Sequence, residues 1–228
     1  MIAATSALAL LCVSPDDTQP AAQSALPPGP AWKALGKDLW FDPKQRVLII
    51  QAHVALREGA LEHLLCRDQT KEHESILATA AEPRRIHAGL LLTGANVGHP
   101  VRFQPKFEPP AGSSIRIDLE WRDAQGKLQR ADARSWVQDE KTGKPLARDW
   151  VFAGSQLIKD EKNNQVYYSA DGGDLITVAN FMSSILDVPE ASSANDAERT
   201  YVAATKNVPP RGTPVRLYLR PERSPSAR

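Results

Sequence analysis

SIRIDLEWRDAQGKLQRADARSWV, residues Ser114 to Val137, alternates apolar and polar side chains on either side of the turn Asp123-Ala124-Gln125-Gly126. Successive side chains of a strand point to opposite faces, so Ile115, Ile117, Leu119 and Trp121 share the inward face. Arg116, Asp118, Glu120 and Arg122 share the outward one. A period of two on both sides of a Gly-containing turn predicts a β-hairpin with one face on a core. A two-stranded hairpin is not stable alone, so further strands must cover that face.

The flanking sequence supplies them. In Leu39 to Cys66, turn signals at Asp42-Pro43 and Glu58-Gly59 separate aliphatic runs, predicting strands at 46–56 and 61–66 joined by a tight hairpin. In the first of these Leu48, Ile50, Ala52, Val54 and Leu56 form a wholly apolar face, which leaves His53 on the other. Ile76 to Ala80 reads as a short strand. A helix follows at about 82–93, because Pro83 is tolerated in a first turn and Ile86, Leu90 and Thr93 fall on one stripe. Gly94 and Asn96 are its stop. Downstream, Thr142-Gly143 marks a turn, and Trp150 to Gly173 carries a third hairpin turning near Asn163-Asn164. Leu175 to Ala179 is an apolar strand, and FMSSILDVP is a helical turn or an extended loop. Ser192 to Glu198 is loop-like, and Thr213 to Leu219 is a final strand with Val215, Leu217 and Leu219 inward. Strands following strands, without alternating helices, exclude a doubly wound nucleotide fold. The expected class is mainly β (α+β): a twisted antiparallel sandwich or open barrel of about nine or ten strands with one substantial packed helix.

Residues Ile2 to Val13 are an apolar, small-residue run, too short for the roughly 20 residues of a spanning helix. It matches the apolar part of a secretory signal, although no Lys or Arg precedes it. Cys12 invites a lipoprotein reading, but Leu11 stands where that signal wants a small residue. Residues 14–30, rich in Pro and Ala, cannot bury enough surface to offset ordering and read as a linker. One globular domain is then expected over 31–220, with a frayed tail at 221–228. The 28 Lys and Arg nearly balance the 27 Asp and Glu, for a formal charge of +1. Nucleic acid needs a clustered basic face and is not an expected partner. No transmembrane segment is expected in the mature chain.

Reactive side chains concentrate between Cys66 and Pro100. Lys71-Glu72-His73-Glu74 reads as a charged loop, and His87 falls on the helix among apolar neighbours. His73, with Glu72 or Glu74 and His87, and with His99 as an optional further ligand, forms a His/carboxylate set suited to a divalent ion such as zinc. The fourteen-residue step from His73 to His87 matches no tight motif. Cys66 with His73 or His87, oriented by Glu72, Glu74 or Asp171, is a second centre, of the thiol type. Both depend on the loop after the second strand folding back over the helix. Asp171-Gly172-Gly173-Asp174 is too short for an EF-hand and reads as a turn. Gly154-Ser155 lacks the full nucleophile elbow, and no P-loop or G-x-G-x-x-G occurs.

Several ordered blocks carry a resemblance: Cys66, then Lys71 to Ile76, His87 to Leu92, Gly98-His99-Pro100, Trp150 to Ser155, Asp171 to Ile176, Asn180-Phe181, Leu186 to Pro189 and Pro209 to Val215. Together they resemble the bacterial YdjY-like domain over most of residues 40–220. The resemblance implies an exported or envelope-associated domain of uncharacterised function. Some members are described as ferredoxin-like, which would imply an iron–sulfur cluster. Such a cluster takes about four thiolates, and one cysteine outside the leader cannot supply them. The sequence thus points to a periplasmic or envelope binding module for a protein or small ligand. Its candidate binding residues are Cys66, Lys71, Glu72, His73, Glu74, Asp171 and Asp174. The alternative is a metal-dependent or thiol enzyme centred on Cys66, His73 and His87.

Overall fold

The computed structural model describes residues 27–192 and 200–222. The expected leader over residues 1–13, most of the linker, and nearly all of the Ser192 to Glu198 loop and the 221–228 tail lie outside these residues. Eleven strands form the main sheet: β1 (Lys33–Gly36), β2 (Leu39–Asp42), β3 (Val47–Val54), β4 (His63–Arg67), β5 (Ser75–Thr79), β6 (Ser114–Arg122), β7 (Leu128–Asp132), β8 (Trp150–Phe152), β9 (Asp174–Thr177), β10 (Leu186–Asp187) and β11 (Pro214–Pro221). One α-helix, α1 (Pro83–Thr93), follows β5.

Eight of these strands close a barrel, in the order β3, β11, β6, β8, β10, β9, β4, β5 and back to β3. Closure rests on two long strands that each share one edge between two partners. β3 pairs with β2 along Val47 to Ile50, then with β5 at His53 and Val54. β6 pairs with β8 at Ser114 and Ile115, and with β7 from Asp118 to Arg122. β11 spans both, opposing Leu48 to His53 on one side and Ile115 to Trp121 on the other. A closed wall removes the unpaired edges an open sheet would present. The fold is therefore β-rich with one helix, as the sequence predicts, and the barrel is closed rather than open.

The hairpin centred on Ser114 to Val137 forms, with Arg122 opposite Leu128, and Ile115, Ile117 and Leu119 are buried in the core. Trp121 packs edge-on against buried Trp136, with ring centroids 5.2 Å apart. On the opposite face Glu120 is buried too, because Arg130, Tyr218 and Arg216 close over it. The helix ends at Gly94 in the left-handed region (φ 86°), whose N–H bonds back to the last turn.

The predicted hairpin between the first two strands does not form. β5 lies between β3 and β4, and it pairs with β4 in parallel, His63 opposite Ser75 and Cys66 opposite Ala78. The physical reason is in SILAT (Ser75 to Thr79), which is buried at every position, the hydroxyls of Ser75 and Thr79 being bonded to the Leu77 and Gln51 carbonyls. Such a strand needs a neighbour on each side. The turn after β3 is meanwhile drawn to another partner: Ala60 bridges Val202, and Leu61 N–H bonds to the Tyr201 carbonyl. A second parallel pair joins Ile176 of β9 to Leu186 of β10. The architecture thus departs from a purely antiparallel one. Both parallel pairs are linked by short crossovers, residues 68–74 and 178–185, and these crossovers build the site described next.

Candidate functional site

Glu62, one residue ahead of β4, ties the two crossovers together through its backbone. Its N–H bonds to the Glu74 carbonyl (3.0 Å), and its own carbonyl accepts from Val178 (2.8 Å) and Ala179 (3.3 Å). Beneath them the first residue of β4, His63, is fully buried. Its Nε2 lies 2.8 Å from Asp174 Oδ1, and Phe181 stacks on the ring at 5.6 Å with an interplanar angle of 12°. Ser183 donates to the other oxygen of Asp174. From the first crossover, Lys71 Nζ approaches Glu74 Oε1 at 3.4 Å and His73 Nε2 approaches Glu74 Oε2 at 3.7 Å. A ring nitrogen of His63 and one carboxylate oxygen each of Glu62 and Glu74 lie within 4.8 Å of one another, and all three residues are buried.

Charge at this centre follows from the contacts. Burial alone would raise the Asp174 carboxyl, but the hydrogen bonds from His63 and Ser183 and the nearby Lys71 ammonium hold it below the usual aspartate range. Burial opposes the charge of Lys71, and the neighbouring Glu74, Asp174 and Glu62 more than reverse that, raising it. An ionised Asp174 accepts a hydrogen bond from Nε2–H, so in the neutral tautomer of His63 the lone pair sits on Nδ1. Among the described residues that buried Nδ1 has no hydrogen-bond partner. Ser183 bonds to the carboxylate rather than to the imidazole, and so is not activated as a nucleophile.

Of the residues the sequence nominated, Lys71, Glu74 and Asp174 meet here, and His73 stands at the rim with 74% of its side chain exposed. Glu72 turns away to accept the Gln69 N–H and groups instead with His53 and Asp68. Cys66 is fully buried beside Ala55 and Ala78. Burial pushes its thiol pKa up, and its hydrogen-bonding neighbours are Ser75, the Lys71 backbone and Thr70 rather than an imidazole. Asp171 lies at the helix, its carboxylate 3.2 Å from Arg84 Nε.

His87 is not part of this centre. Neither it nor His73 belongs to a set of three ligating side chains within 4.8 Å among the described residues. The reason is topological: the 68–74 crossover returns across β4 to enter β5 in parallel, and does not fold over α1. His87 instead lines an open cleft of about 520 Å³ with Arg84, Val97, Gly154, Leu157 and Tyr168. The Tyr168 hydroxyl donates to the Gly154 carbonyl (3.0 Å), so both groups facing His87 Nδ1 are acceptors, at 2.9 Å and 3.1 Å. Nδ1 therefore carries the proton and Nε2 is the ring's acceptor. Burial lowers the His87 pKa, keeping the ring neutral. Gly154 (φ 88°) and Ser155 (φ 59°) both take left-handed conformations at the cleft wall. A Cβ on Gly154 would sit 2.2 Å from Val97 Cγ2.

Sequence reasoning missed Glu62 and His63. The signal available was LEHLLC, in which an acid and an imidazole interrupt an otherwise apolar strand entry. No curated protein and no solved structure matches the chain. A family model, the YdjY domain, matches residues 39–220, well over half the chain and all but the last residue of the barrel wall. The chain belongs to the YdjY domain family.

Proposed function

We propose that this protein is an exported bacterial envelope domain that works as a binding module, and that the His87 cleft is where it takes its ligand. The observation that carries the reading is the make-up of the cleft. Val97 and Leu157, both largely exposed, offer apolar walls. Arg84 offers a cation whose present partner, Asp171, is itself exposed to solvent. Ion pairs of that kind contribute about 1 kcal/mol or less, so Arg84 is free to exchange Asp171 for a ligand acid. The His87 Nε2 lone pair adds one fixed acceptor. Open clefts with apolar walls and a few polar groups suit small molecules. The ligand class is accordingly a small molecule with an apolar body and an acidic group. The apolar run at residues 2–13 and the proline-rich stretch after it support placement in the envelope.

Anilinonaphthalene sulfonate, an apolar anion, serves as the probe. Saturable one-site binding is expected, weakened about fivefold in Arg84→Gln, which is roughly the 1 kcal/mol of one exposed charge contact. Leu157→Ser should weaken it further. Binding that ignores both substitutions refutes the cleft as the ligand site. For the placement, N-terminal sequencing of chain recovered from the periplasmic fraction of an expressing bacterium should show residues removed from the start. An intact, cytoplasmic chain contradicts export.

A further inference from the structure

We propose that Glu62, Glu74 and His63 hold a divalent transition-metal ion such as zinc, with Asp174 orienting the imidazole from outside the coordination shell. Two independent observations lead here. The first is convergence: three buried side chains from two chain segments bring ligating atoms within 4.8 Å of one another. A tetrahedral zinc shell with ligand distances of about 2.1 Å places its donors about 3.4 Å apart, so modest side-chain movement completes it. Glu62 lies ahead of β4, where its backbone bonds to both crossovers, so the alternation of the strand does not force it away from His63.

The second observation is the state of the imidazole. His63 is fully buried, its Nε2 is taken by Asp174, and its Nδ1 has no partner among the described residues. A buried polar atom left unsatisfied is costly, and a metal bond at that nitrogen removes the cost. Metal-bound histidines commonly give their other ring N–H to a carboxylate, which fixes the tautomer and strengthens the donor. The His63–Asp174 contact has that form. One imidazole with two carboxylates suits zinc or manganese better than calcium, which prefers an all-oxygen shell, or soft copper(I). Lys71 Nζ, 3.4 Å from Glu74 Oε1, competes with the ion for that carboxylate.

The test is calorimetric titration of the chelator-treated full-length chain with zinc chloride alone, read beside metal content after dialysis. One ion per chain is expected. Affinity should fall at least about tenfold in Glu74→Gln and in His63→Gln, and rise in Lys71→Met, where the competing ammonium is gone. Glu72→Gln and His87→Ala should leave it unchanged. Should His63→Gln fail to fold, Lys71→Met still decides, because an unchanged zinc affinity there overturns the site. Failure of the unmodified chain to take up one equivalent, or uptake that survives Glu74→Gln, also overturns it. Uptake abolished by Glu72→Gln would move the ion to the His53–Asp68–Glu72 group and overturn this assignment as well.

Discussion

Replacing Asp187 by Asn should flatten the dependence of stability on pH between about pH 4 and pH 7. Asp187 is fully buried on β10, and burial pushes its carboxyl up to about 7 from an ordinary value of 3.8. One oxygen accepts from Thr177 Oγ1 (2.9 Å), Val188 N–H (2.8 Å) and Asn180 Nδ2 (3.3 Å), while the other has no partner among the described residues. The sign follows from proton counting. Below the unfolded value both states are protonated and the full stability is present. As pH rises, the unfolded chain releases its proton first, so the folded state loses ground until pH passes about 7. At about 1.4 kcal/mol per unit over roughly three units, the loss is on the order of 4 kcal/mol. Asn does not titrate, although its amide N–H finds no acceptor in the site, so the variant should be less stable than the parent near pH 4 and more stable near pH 8. Urea unfolding midpoints measured at several pH values check this. Parallel curves for parent and variant would refute the assignment. The consequence reaches the site, because the Thr177, Asn180 and Asp187 network anchors the crossover that carries Phe181 and Ser183 over His63.

Three further outcomes are expected. Asp174→Asn removes the charged partner of buried His63 and should destabilise the protein by about 2–3 kcal/mol in urea unfolding at pH 7. Because the Asp174 carboxyl is depressed in the folded state, that penalty should shrink as pH falls through its folded value. Gly154→Ala places a methyl against Val97 at a left-handed φ, so the probe should lose affinity for the cleft and the thermal midpoint should fall, at a cost of about 1–3 kcal/mol. Cys66 should resist iodoacetamide in the native state and react promptly once urea unfolds the chain, followed by mass spectrometry. Prompt native-state alkylation would contradict its burial.

Much of this fold could be read directly from local pattern. Ile115 to Trp121 alternates strictly, and the residues it assigns inward, Ile115, Ile117 and Leu119, are buried in the core. Gly94 ends the helix where only a left-handed residue fits. The errors arise where side chains lose their alternation. HLLC and SILAT are buried on both faces, so their sequences carry no directional signal, and the Glu58-Gly59 turn invites a hairpin that β5 instead interrupts. With β4 and β5 parallel, the KEHE crossover sits over β4 and meets Asp174, not the helix bearing His87. Lys71, Glu74 and Asp174 could be nominated because charged residues near turns attract attention. For His63 the only signal is the imidazole interrupting apolar LEHLLC, since its partners are over a hundred residues away or arrive from a crossover with no regular pattern.

The claim at the centre of this account is that the two parallel crossovers assemble one buried polar site around His63. Long-range proton–nitrogen correlation spectra of the histidine rings at neutral pH test it most directly. The expected result is a His63 ring whose Nε2–H is held by Asp174 and whose Nδ1 resonance shifts when zinc is added. A His63 ring lacking the Nε2–H bond to Asp174, or one that exchanges freely with solvent and ignores both zinc and Asp174→Asn, would contradict it.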